Sequence, residues 1–225
     1  MRDKNGSIEL YSNFIDALNN LDKEKCASLI INALEENLID IPDLYQDLLK
    51  MSLSLIASNE REQRIGIWEE HVQSAIVRSV IELTYPYIIK QRDKNNDLHS
   101  LKAIVFCQEE EYHEIGARMV TDFLTLLGFD ASFIGANTPK AEVYKAINKL
   151  SPDLVCISVT NYFHLMTLKD LINELRDYSI KETRQFKILI GGHAIENTPN
   201  AKNLIEPDFF ANTYSDLERI RGELV

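Results

Sequence analysis

Positive charge is scarce in this chain. Lysine and arginine number 24 against 35 aspartate and glutamate residues, a formal net charge of −11. That balance excludes the basic footprint by which proteins hold phosphate backbones or anionic membrane surfaces. Cysteine is also scarce. Cys26, Cys107 and Cys156 are odd in number, far apart and each set in an apolar stretch. This excludes a disulfide framework or a closely spaced zinc site and predicts buried free thiols in a reducing cytoplasm. No apolar run approaches the length of a membrane span, and none follows Met1 as a signal peptide would. No Gly-x-Gly-x-x-Gly or phosphate-binding loop is present, which argues against nucleotide cofactors. No hydrolytic or nucleophilic constellation is visible, since His99, His164 and His193 lack motif partners. No catalytic residue is therefore expected within the chain itself.

The apolar fraction is 45% over 225 residues, enough for real cores. The periodicity changes midway. Up to about Lys90 it is helical. Tyr11, Phe14, Ile15 and Leu18 share one face, and Cys26, Leu29, Ile30, Ala33 and Leu34 another. Pro42 and Asp43 start a third helix with Leu44, Leu48, Met51 and Leu55 as its stripe. The polar stretch 58–66 reads as a break or a tight connection, and a fourth helix runs from Trp68 to about Tyr85, ended near Pro86. Four helices with short connections predict an up-down bundle. Gln91 to Asp97 is polar and marks the boundary between a domain at 1–92 and another at 98–225.

Beyond it, short β-rich runs alternate with helical ones. Strands are predicted at 101–107, 131–134, 154–159, 186–190 and 209–211. Helices are predicted at 114–127, from Pro139, at 165–178, 194–205 and 215–222. Such alternation predicts an α/β fold, a doubly wound, Rossmann-like parallel sheet with its ligand at the carboxyl ends of the strands.

Three loops follow strands at that edge. One is Glu109-Glu110-Glu111-Tyr112-His113-Glu114-Ile115-Gly116. The others are Ser158-Val159-Thr160 and Gly191-Gly192-His193. A neutral imidazole is a good ligand for a first-row transition metal, best when a carboxylate takes the proton on its other nitrogen. Glu111, two positions before His113, is placed for that. Gly116, Gly191 and Gly192 permit close approach to the backbone. Ser158 and Thr160 put hydroxyls at a strand mouth. Each piece alone is ordinary: a loop histidine, a turn, a solvated patch. Their placement on successive strands makes them a candidate site.

These residues resemble a known signature. Glu111-x-His113-x-x-Gly116, Ser158-x-Thr160 and Gly191-Gly192, in this order and spacing, are similar to the Asp-x-His-x-x-Gly, Ser-x-Leu, Gly-Gly pattern of cobalamin-binding domains. Ile41-Pro42-Asp43-Leu44-Tyr45 and Trp68-Glu69-Glu70-His71-Val72-Gln73-Ser74 resemble motifs of the helical cap preceding that domain in methionine synthase-like proteins. The resemblance implies a cobalt corrinoid, adenosylcobalamin or methylcobalamin, whose benzimidazole tail leaves the cobalt and enters a slot in the sheet domain. His113 would take the vacated lower position as metal ligand, oriented by Glu111. Ser158, with Thr160 beside it, would hold the tail base, and Gly191 and Gly192 would let the tail pass. The cap would cover the upper face, with Glu70 and His71 facing the corrin. Trp68 reads either as a cofactor contact or as a packed bundle residue.

Two positions depart from the pattern: Glu111 stands for Asp and Thr160 for Leu. With the turn Gly135-Ala136-Asn137-Thr138-Pro139 they resemble the light-responsive, cobalamin-dependent regulators. No DNA-binding helix-turn-helix is seen before the cap. The expectation is a non-enzymatic sensor or regulatory module acting on a protein partner or by self-association, without direct nucleic-acid or membrane contact. The alternative is a corrinoid methyl carrier, the corrinoid subunit of a methyltransferase system.

Overall fold

The change of period at residue 90 is a change of architecture. A computed structural model describes residues 4–92, 101–198 and 200–225, with side chains from residue 8 onward. The chain divides into two compact units, Met1–Lys90 and Gln91–Val225. The linker residues Asp93 to Asp97, and His99, lie outside the described residues.

The first unit is a bundle of four helices: α1 (Lys4–Asn19), α2 (Lys23–Glu35), α3 and α4 (Ile67–Arg92). The third, α3, is one continuous run, α-helical over Ile41–Asp43, π-helical over Leu44–Leu49 and α-helical again over Lys50–Arg61. Asp22 caps α2 by accepting from the Lys25 N–H, and Asp40 caps α3 by accepting from that of Asp43. The apolar faces meet inside: Phe14, Leu18, Cys26, Ile30, Ile41, Leu44, Tyr45 and Leu49 are all buried. Each large side chain contributes roughly 1.5–3 kcal/mol by leaving water. A buried hydrogen bond of 2.5 Å between the Tyr45 and Thr84 hydroxyls ties α3 to α4.

Two predicted boundaries shift here. The polar stretch 58–66 is helical as far as Arg61. Helix α4 does not end near Pro86 but continues to Arg92 with the proline inside it. Pro86 is solvent-exposed, whereas Thr84 and Ile88 on either side are buried. The carbonyl that loses its partner therefore lies on the wet side, and packing of the opposite face carries the helix past the ring.

The second unit contains β1 (Lys102–Phe106), α5 (Ile115–Leu126), β2 (Asp130–Gly135), α6 (Lys140–Leu150) and β3 (Leu154–Ser158). A 3-10 turn at Tyr162–His164 leads into α7 (Leu165–Lys181), then β4 (Lys187–Gly191). The chain closes with α8 (His193–Asn197), α9 (Ala201–Leu204), β5 (Phe209–Phe210) and α10 (Tyr214–Leu224). The strands form one five-stranded sheet in the order β2-β1-β3-β4-β5, and all pairs are parallel. On one face Ile104, Phe106, Val155, Ile157, Ile188 and Ile190 pack with Val143, Ile147, Leu168 and Ile172 of α6 and α7. The alternate residues Ala103, Val105 and Cys156 are also buried and face the other way, toward α5 and α10. The fold is the expected doubly wound α/β sheet.

The predicted helix at 194–205 is in fact two short ones. Thr198 is extended and Asn200 adopts a left-handed φ of 61°, which breaks the run. This order of strands reverses direction between β1 and β3. Ligands of such sheets lie at that switch point, beyond the carboxyl ends of the strands.

Candidate corrinoid site

The loop after β1 and the loop after β3 flank the switch point, and one carboxylate joins them. The Glu111 side chain is only 1% exposed. Its Oε1 accepts from the backbone N–H of His113 at 3.1 Å and lies 2.5 Å from His113 Nδ1. Its Oε2 accepts from the backbone N–H groups of Thr160 at 2.9 Å and Asn161 at 3.0 Å. Burial alone would push this carboxyl up, but the His113 ring and the three backbone donors outweigh it and hold the carboxyl down at about 2. Glu111 is thus a buried anion, and it keeps the shared proton on Nδ1 of His113. The ring itself is 64% exposed. With Nδ1 committed, Nε2 is the nitrogen through which it can bind a metal.

The other predicted residues fall into place unevenly. Ser158, at the end of β3, is 8% exposed, and its hydroxyl makes no hydrogen bond to any described residue. Thr160 sits beside it and contributes its backbone to Glu111. A Cβ added at Gly116 would meet nothing within 4 Å, so the start of α5 faces open space. At Gly191 and Gly192 the space a side chain would need is taken by neighbouring backbone. A Cβ at Gly191 would lie 2.4 Å from the Ala211 carbonyl oxygen, and one at Gly192 2.4 Å from that of Val159. Gly192 also has a φ of +109°. The neighbouring backbone requires both glycines.

Trp68, Glu70 and His71 lie in the helical unit. Trp68 is 62% exposed at the first turn of α4, which rules out the packed-bundle reading. Glu70 accepts from the Ser74 hydroxyl at 2.7 Å and lies 3.5 Å from His71 Nε2. His193 is exposed and bonds Asn197.

Three residues outside the predicted site set organise the loops around it. Asn137, at a left-handed φ of 47°, accepts from the Glu110 N–H at 2.8 Å and donates its own N–H to the Glu111 carbonyl at 2.8 Å. Gln108, 4% exposed, donates to the His164 carbonyl at 3.2 Å and the Thr167 hydroxyl at 3.0 Å. Asn161 caps the Tyr162–His164 turn by accepting from the Phe163 N–H at 3.1 Å. An asparagine before Thr-Pro and another before a helix are legible turn and cap signals; their service to His113 is not.

Among the described residues no group of three or more His, Cys, Asp or Glu could hold a bare metal ion. A single oriented imidazole beside open space fits a metal that arrives with its other positions already filled by a macrocycle. The B12 binding domain family matches residues 101–213. The chain belongs to that family. Its cofactor is a cobalamin, a cobalt corrinoid. Monomethylamine corrinoid protein 2 of Methanosarcina mazei is 22% identical over 193 residues, covering 85% of this chain and 87% of that protein. The solved structure of the Methanosarcina barkeri monomethylamine corrinoid protein has a TM-score of 0.80 at 19% identity, covering 97% of this chain and 99% of that one. The HTH-type transcriptional repressor CarA of Myxococcus xanthus is 22% identical over 129 residues, 57% of this chain and 41% of that protein. Among the described residues no helix is long and apolar enough to cross a membrane.

Proposed function

We propose that this protein is a corrinoid methyl carrier within a methyltransferase system. The observation that carries the reading is the likeness to monomethylamine corrinoid proteins across both halves of the chain. It turns the expected light-responsive regulatory role toward methyl carriage, since the CarA repressor is matched over a smaller part of each chain.

Bound cobalamin supplies a cobalt that takes up and releases a methyl group. The residues of the chain hold and tune it. His113 would hold the cobalt from the lower side through Nε2. Glu111 fixes the Nδ1–H tautomer and raises the basicity of the ring, because a buried carboxylate stabilises positive charge on the imidazole. Ser158 offers its hydroxyl to the buried tail base, with Thr160 beside it. Gly116 leaves room at the start of α5, and Gly191 and Gly192 bring the ends of β3, β4 and β5 close together. Trp68, Glu70 and His71 are further candidate cofactor contacts on the helical unit. The chain supplies no acid, base or nucleophile to the methyl donor. That chemistry belongs to a protein partner, a methyltransferase, met in the cytoplasm without nucleic acid or membrane.

The test loads the purified protein with hydroxocobalamin, reduces it, and adds a methyl donor with a methyltransferase encoded beside it. One methyl group per bound cofactor, followed by absorption, is the expected result. No transfer with any neighbouring methyltransferase overturns the reading. A change in molecular size on illuminating the adenosylcobalamin-loaded protein would restore the regulator instead.

A further inference from the structure

The loop that holds Glu111 is anchored at buried Val159, which bonds Gly191 and Ala194, but the turn that follows is exposed. Tyr162 and Phe163 stack on each other at 4.0 Å between ring centroids, but they are 56% and 69% exposed. Packing therefore does not fix the turn that carries them; hydrogen bonds do. At its far end, buried Gln108 bonds the His164 carbonyl. At its near end, the Asn161 side chain accepts from the Phe163 N–H, while the Asn161 backbone N–H reaches Glu111 Oε2 at 3.0 Å. One residue thus both shapes the turn and aims a donor at the carboxylate that orients His113.

We propose that Asn161 is a positioning residue for the lower cobalt ligand. It sets the direction of its own N–H, which together with that of Thr160 fixes Glu111 so that Oε1 faces the His113 ring. The longer glutamate makes this arrangement possible, because its carboxylate spans from the His113 loop to the backbone beyond β3. When the Asn161 cap is lost the turn opens, the Asn161 N–H swings away, and the carboxylate, left with Thr160 alone on that side, rotates off Nδ1. The ligand then loses its tautomer and its orientation together. The proposal rests on the reading of His113 as cobalt ligand.

The experiment compares wild type, Asn161→Ala and Asn161→Ser, each loaded with hydroxocobalamin and then reduced to the cobalt(II) form. Two quantities are read: total cofactor affinity, and the fraction ligated by histidine, from the absorption spectrum and the nitrogen splitting of the cobalt(II) electron resonance. Alanine should lower the histidine-ligated to unligated ratio roughly 3- to 10-fold while the cofactor stays bound. Serine, another capping side chain, should restore most of it. An unchanged ratio in the alanine variant overturns the proposal. So does a parallel fall of thermal midpoint and total affinity in both variants, which would make Asn161 a folding residue only. A wild type with no histidine ligation would instead overturn the underlying assignment of His113, so the two failures are distinguishable.

Discussion

Glu111→Gln exchanges one oxygen for an NH2 and should disconnect His113, the proposed lower ligand. The replacement amide has one oxygen and one NH2, and four donors surround the site. The backbone N–H groups of Thr160 and Asn161 can only donate, so the amide oxygen stays with them. The NH2 is then turned toward the His113 N–H and Nδ1, where Oε1 had been. An amide NH2 cannot accept from Nδ1–H. The imidazole responds by moving its proton to Nε2 and accepting at Nδ1, which blocks the nitrogen that would meet cobalt. Recovering the ligating tautomer means facing two donors against each other. Loss of such a partner typically weakens a metal–histidine bond about 10- to 100-fold, or roughly 1.4–2.8 kcal/mol. The assay is the histidine-ligated fraction of bound cobalamin, by absorption and by nitrogen splitting. The apo protein gives a second readout. Unfolded, Glu111 would titrate near 4.5, and folded it titrates near 2. Between these values the unfolded chain binds more protons, so stability rises with pH across the window. The stabilisation is present above about 4.5 and lost as pH falls toward 2, on the order of 3 kcal/mol in all. In Glu111→Gln that part of the acid dependence should vanish. A variant with wild-type histidine ligation and an unchanged acid profile would refute the reasoning.

Gly116→Ala should leave the apo fold as stable or up to about 1 kcal/mol more stable, since the added methyl meets open space in a helix. It should nevertheless weaken cobalamin binding measurably by titration, and unchanged affinity would remove Gly116 from the site. Gly192→Ala places a Cβ 2.4 Å from the Val159 carbonyl oxygen on a backbone with φ +109°. A loss of roughly 3 kcal/mol or more in denaturant unfolding is expected even without cofactor, and a neutral result would contradict the crowding. Pro86→Ala should stabilise the helical unit by about 1–3 kcal/mol in thermal melting, because it restores a helical N–H on an exposed face.

How much of this was legible in the sequence depends on what each feature required. The strands of the sheet were, because fully buried parallel strands are continuous apolar runs such as Leu154 to Ser158. The start of α6 after Pro139 follows local chemistry, because proline fits a helix entry and not its interior. Pro86 misled because a local rule was outweighed by the buried Thr84 and Ile88 around it. The helix expected at 194–205 failed for the opposite reason: Asn200 takes a left-handed φ that no periodicity reports.

The site divides along the same line. His113 and Glu111 sit two residues apart, so their pairing could be read from spacing alone. The second oxygen of Glu111 was beyond reach, because its partners lie 49 and 50 residues away and are backbone N–H groups, which any residue type supplies. Glu111 stands where the family pattern has Asp. In the fold the extra methylene gives a carboxylate with both oxygens engaged and its side chain only 1% exposed. Glu111 is attached at once to the His113 loop and to the loop after β3, which makes the geometry of that second loop part of the candidate site.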